Sequence, residues 1–149
     1  MCFRPQTDIM TAEEDITVYK VFTSVVDEIP SYMAHYESPY AHFFYGTVIE
    51  EQEFVCHKFG EHSDTRTFLE CRGYHNIFGF HSFKFKKDAF KEKYFLNIES
   101  AKDNEINNVF ECIIPKGSRY MRGVDAFNHA NYVSERIKPI KPLKHGKTS

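Results

Sequence analysis

No tryptophan, no internal repeat and no apolar run approaching the ~18–20 residues of a membrane span appear in this sequence. The N-terminus lacks the apolar core of a signal peptide. These absences point to a soluble, cytoplasmic chain with no membrane partner. Net charge is also scarce. A formal balance of −2 gives no global attraction to phosphate polyanions, so general nucleic-acid binding is not favoured. Only four cysteines are present, Cys2, Cys56, Cys71 and Cys112. Without a signal peptide, reduced thiols are expected rather than a disulfide framework. Cys112, inside an apolar run, reads as a small core residue.

What is present suits one globular domain. The chain has 149 residues, enough to bury roughly 70% of the surface that its unfolded form exposes. Hydrophobic residues make up 42% and charged residues 27%, as in ordinary globular proteins. The 15 Phe and 9 Tyr tilt the composition toward strands.

Residues 1–14 read as a loosely ordered lead-in, with Thr11 and Glu14 at capping-box spacing. "DITVYKVFTSVV" (15–26) predicts a central strand, apolar on both faces. Residues 27–40 carry two prolines and predict a connection. Strand-like pieces follow at 42–49 and 53–59, which suggest a hairpin, and then within 67–83 with a break near Gly73. "KFKKDAFKEKYFLNI" predicts the principal helix, about 84–97, with Ser82 as a cap. Residues 99–108 read as a loop, 109–115 and 130–140 as strands, and 141–149 as a disordered tail. Strands, one helix and strands again predict a single α+β domain over 15–140 with a mainly antiparallel, twisted sheet.

Alternation along the strands singles out two charges. Lys20 interrupts the row Ile16, Val18, Phe22, and Glu135 interrupts the row Val133, Ile137. A charge in an apolar row needs solvent, a partner or a cleft. Partly exposed faces, a Lys20–Glu135 pair and a functional cleft all answer that need. In "GFHSF" (79–83), His81 is a candidate ligand-binding residue or a half-buried structural one. Ser82 lacks a Gly-x-Ser-x-Gly elbow and suits a helix cap better than a nucleophile. Cys56, His62, Cys71 and His75 are weak zinc candidates: they number four, but none forms a Cys-x2-Cys knuckle. The lysines at 84, 86, 87, 91 and 93 offer an anion-binding or simply solvated helix face. In "VFECIIPKGSRYMRG" (109–123), Pro115 and Gly117 end a strand in a turn. Arg119, Tyr120 and Arg122 then become candidates for anion recognition.

The order "YKVF", "GFHSF" followed by a helix, "VFECIIPKGSRY" and "YVSERI" resembles small uncharacterised domains of bacteriophages and gut bacteria over roughly residues 16–140. That resemblance implies a phage-like accessory or virion-associated protein. More remotely, the order is similar to mono-ADP-ribosyltransferases. This second resemblance implies their fold, NAD as cofactor, and catalytic roles for Lys20, Ser82 and Glu135. Two departures stand against the activity: Lys20 replaces an arginine, and the family's catalytic glutamate aligns with Ile137. No complete catalytic constellation is visible. The first expectation is therefore a non-catalytic protein that binds an unidentified protein partner and needs no cofactor. An ADP-ribosyltransferase, or a degenerate nucleotide-binding relative, is the alternative.

Overall fold

A computed structural model describes residues 3–25, 32–33, 50–61, 77–100 and 105–144. The strands are β1 (Phe3–Pro5), β2 (Met10–Thr11), β3 (Ile16–Val25), β4 (Tyr32–Met33), β5 (Phe54–Val55), β6 (Phe80–Phe83), β7 (Glu105–Ile114), β8 (Arg119–Asp125), β9 (Ala130–Ser134) and β10 (Arg136–Leu143). One helix, α1 (Lys86–Ser100), joins β6 to β7. The strands form one antiparallel sheet in the order β1-β8-β9-β6-β3-β7-β10-β5, with β2 on β8 and β4 on β3. The sheet curls into a half-barrel. This corrects the expected α+β domain built around a principal helix: the architecture is mostly antiparallel sheet, and the helix is a short patch on one face.

The physical reason lies in segments whose strand character local punctuation hides. Residues 105–108, read as loop, extend β7 because β3 offers a continuous partner. The two strands pair without interruption from Ile16↔Ile114 to Val25↔Glu105. Residues 130–140 divide at Glu135 into β9 and β10, and β10 continues through Leu143. Pro139 and Pro142 sit inside β10, where a proline would normally break a ladder. Among the described residues β5 pairs with β10 only at Arg136 and Ile137, and the rest of β10 has its described ladder with β7, where residues without an amide donor are tolerated on the side that carries no ladder. A register shift between Pro139 and Lys141 accommodates the irregularity. The lead-in also joins the sheet: β1 pairs with β8, and Phe3 is only 1% exposed. The expected strand pieces at 42–49 and 67–76 lie outside the described residues, as does the tail from 145.

The "PKG" turn connects β7 to β8. Ser118 N donates to Pro115 O at 3.0 Å, and Gly117 adopts a φ of 86°, which a side chain would strain. The lead-in brackets this turn: Gly117 N donates to Ala12 O at 2.8 Å, and Lys116 N donates to Asp15 Oδ1 at 2.8 Å.

Packing divides by face. On one face, α1 lays Ala89 and Phe90 over Val21, Phe83 and Val109. The opposite face carries Val18, Phe22, Phe80, Phe110, Cys112, Ile114, Tyr132 and Ile137. Phe22 and Phe110 meet edge to face at 4.9 Å. A third cluster joins Phe3, Phe59, Ile77, Met121 and Val133 near β1 and β8.

Candidate anion-binding pocket

The sequence singled out Lys20, and the sheet explains it. Lys20 lies on the face opposite the helix and is 2% exposed. Its Nζ donates to the His81 carbonyl at 2.7 Å. The bond falls where it is needed, because β3 and β6 share only the Tyr19↔Phe83 bridge. The side chain thus ties together two strands that have little backbone ladder between them. Burial lowers the Lys20 amine to about 7, against smaller opposing effects from Cys112 and Glu92. Burial likewise pushes the Cys112 thiol well above its usual range, and its Sγ donates to Phe110 O at 3.6 Å.

His81 and Ser82 are both in the interior. His81 Nε2 lies 3.0 Å from Ile77 O, and its ring meets Phe3 edge-on at 5.8 Å. This is a core histidine. Ser82 is fully buried, and its hydroxyl has no hydrogen-bond partner among the described residues. Its place inside β6, ahead of the helix start at Lys86, also takes it away from the expected capping position.

Glu135 is elsewhere. It occupies the corner between β9 and β10 and binds Arg119 in two ways. Arg119 N donates to Oε2 at 2.9 Å, and Arg119 Nη2 donates to Oε1 at 3.2 Å. Glu135 N in turn donates to Arg119 O at 2.9 Å. Burial nudges the Glu135 carboxyl upward, but the Arg119 amide and guanidinium, with Arg136, hold it below its usual value. The Lys20–Glu135 pair considered from sequence is therefore not formed. The three residues that the ADP-ribosyltransferase resemblance assigns to catalysis do not share an open cleft: Lys20 and Ser82 are buried, and Glu135 is held at a sheet corner by Arg119.

Arg119 also lies over the Phe59 ring, 5.4 Å from its centroid. Tyr120 is half-buried, 6.0 Å from Tyr132 between ring centroids. Of the zinc candidates, Cys56 is buried and in no disulfide among the described residues, and His62, Cys71 and His75 lie outside the described residues. Among the described residues no group of three or more His, Cys, Asp or Glu is placed to hold a metal ion.

Arg122 and Tyr120 are sequence candidates that each reach a pocket, and that of Arg122 is the cationic one. Arg122 projects from β8 directly across from Tyr132 on β9. Lys84 continues the line of β6, its amide donating to Ala130 O at 3.1 Å. The pocket between them holds about 340 Å³ and is lined by Gln6, Thr7, Lys84, Arg122, Gly123, Ala130, Asn131 and Tyr132. Each wall is fixed by the backbone. Gln6 N donates to Arg122 O at 2.8 Å, and Arg122 N donates to Thr7 Oγ1 at 3.0 Å. The β8–β9 turn that delivers Ala130 and Asn131 is built on Asp125, whose Oδ1 accepts from Phe127 N and His129 N, each at 2.9 Å. Asn131 Nδ2 donates to His129 O at 2.7 Å.

The chemistry of this lining is one-sided. Two cationic residues and four residues with neutral hydrogen-bonding side chains line the space, and the described lining contains no carboxylate. Burial raises the Tyr132 phenol, although Arg122 pulls it down. The hydroxyl therefore stays protonated at neutral pH and is available as a donor. Such a set suits an anion. From sequence, Arg122 and the lysine run were visible. Gln6, Thr7, Asn131 and Tyr132 gave no local signal, since only strand pairing gathers them.

Among the described residues no helix is long and apolar enough to cross a membrane. Comparison with known proteins returns no matching family model, no similar curated protein and no similar solved structure.

Proposed function

We propose that this is a small non-catalytic binding protein whose ligand presents a compact anionic group, a phosphate or a carboxylate, to Lys84 and Arg122. The observation that carries the reading is a half-enclosed pocket of about 340 Å³ with two cations, several neutral donors and no carboxylate in its described lining. A net charge of −2 for the whole chain makes that local concentration a property of the site rather than of the surface at large. Arg122 supplies a planar fork for two oxygens, Lys84 a mobile point charge, and Tyr132 a preorganised donor. The non-catalytic part of the reading is supported by Ser82, which is buried, and by Glu135, which is engaged with Arg119.

Titration calorimetry with inorganic phosphate and small mono- and dicarboxylates tests it. Wild-type protein is expected to bind at least one of these at low ionic strength, with affinity falling as salt rises. Arg122→Ala is expected to weaken binding by about ten- to a hundredfold, as loss of a charge-assisted hydrogen bond does. Absence of binding at millimolar anion defeats the reading.

A further inference from the structure

Phe85 follows the pocket residue Lys84 in the chain and belongs to none of the core clusters. It is 46% exposed, although it follows a fully buried strand. Its backbone is fixed at the entry to α1, where its carbonyl accepts from Asp88 N at 3.1 Å and Ala89 N at 3.5 Å. Two ammonium groups lie over its ring, Lys84 Nζ at 5.4 Å and Lys87 Nζ at 5.6 Å from the centroid. Lys84 thus belongs both to the pocket lining and to the cations around an exposed aromatic plane. Granting the anion site proposed above, on which this inference rests, we infer that the ligand is a nucleoside monophosphate. Its phosphate sits between Lys84 and Arg122, and its base lies against Phe85.

The chemistry runs as follows. A bare anion has no use for an aromatic plane next to one of the cations that would hold it. A base attached to that anion does, because stacking on an aromatic side chain is favourable for any base. The cation–π contacts that now occupy the ring are weak at an exposed position. A base can replace one of them while the freed ammonium turns to the phosphate. A single-stranded nucleic acid fits less well. On the same face of β8, two residues from Arg122, Tyr120 lines a second cavity together with Glu13, Glu14 and Asp15. A polyanion continuing that way meets three carboxylates, whereas a mononucleotide ends before them.

Calorimetry on the full chain decides the matter with four probes: inorganic phosphate, ribose 5-phosphate, adenosine 5′-monophosphate and a short single-stranded oligonucleotide. The mononucleotide is expected to bind about tenfold or more tighter than ribose 5-phosphate, the range that one base stack provides. Phe85→Ala erases that ratio and Phe85→Tyr preserves it, which a merely structural role for the ring would not produce. Equal affinity for the mononucleotide and ribose 5-phosphate, or a ratio that survives Phe85→Ala, overturns this inference while leaving the anion site standing. An oligonucleotide that binds more tightly than the mononucleotide overturns it in favour of a nucleic-acid partner. Failure of every probe removes the anion site and this inference together.

Discussion

Lys20 is the residue whose chemistry departs furthest from its usual behaviour, and its sign is testable. In the folded protein its amine titrates near 7, against a usual value of 10.5. Between those values the unfolded chain holds a proton that the folded chain has released. Stability therefore rises with pH across this window and is flat in this respect below about 7, where both states are charged. The rise has an upper limit of roughly 5 kcal/mol. In Lys20→Met the term disappears. Urea melts at pH 6, 8 and 9.5 are expected to show the wild-type advantage over Lys20→Met growing with pH. A constant difference between the two would mean that the amine is not desolvated. Comparing the two proteins cancels the opposing contribution of Tyr132, and that of Cys112, whose thiol is coupled to Lys20, acts mainly toward the upper end of this range. Glu135, bound to Arg119 rather than to Lys20, is expected to behave independently. Glu135→Ala should cost about 1 kcal/mol, the scale of a partly exposed hydrogen-bonded ion pair. A double-mutant cycle of Lys20→Met with Glu135→Leu should give a coupling below about 0.5 kcal/mol.

Among the elements, β1 shows how a three-residue strand can matter. Phe3 reaches into a cluster with Met121 and Val133, and its side chain is almost wholly buried. Gly123 on β8 lets β1 approach this closely: a Cβ there would collide with Arg4 O and lie 2.6 Å from Phe3 Cζ. Backbone cannot yield as a side chain tip does, so Gly123→Ala is expected to push β1 off the sheet edge. The expected loss in a denaturant melt is about 1–3 kcal/mol, as for overpacking. Amide exchange should speed at Gln6, whose N–H is bonded to Arg122 O. Phe3→Ala is expected to cost about 3–5 kcal/mol through the cavity that it leaves. If β1 is a dispensable lead-in, both variants will melt with the wild type. Gly123 and Gln6 also line the anion pocket, so loss of β1 should weaken phosphate binding as well.

At the scale of the whole molecule, the chain order and the sheet order differ sharply. β3 pairs with β7 and β6, β10 with β7 and β5, and β8 with β1 near the other end of the chain. Every long ladder except the β8–β9 hairpin closes across a long loop. Loop-closure entropy must be spent before these contacts form, and topologies of this kind fold in about milliseconds to seconds rather than microseconds. Stopped-flow refolding is expected to fall in that slower range, and a microsecond phase accounting for all of the signal would contradict it. The pocket shares this character. Its walls come from residues 6–7, 84, 122–123 and 130–132, so it exists only once β1, β6, β8 and β9 are in place.

Local chemistry specified several pieces unaided. The β-branched and aromatic run of β3 and the Pro-Lys-Gly turn follow from alternation and φ preference, which need no distant partner. Cys112 as a core residue follows from the apolar run around it. Lys20 and Glu135 were marked as unusual by the same alternation; of the three answers weighed, the pair between them is not formed, Lys20 being buried against the His81 carbonyl and Glu135 held by Arg119. What each residue met depended on sheet order. β6 stands beside β3 at Lys20 and brings the His81 carbonyl, while Arg119 reaches Glu135 because β8 adjoins β9. The balance of helix and sheet was likewise beyond local reading, because residues 105–108 and the proline-containing β10 have weak strand propensity and are held by the ladders that flank them. Arg122 was legible as a cation after a turn. Its pocket was not, because strand pairing sets side chains beside one another across any sequence distance, and hydrogen-bonded register, unlike propensity, leaves no mark on the residues next in the chain.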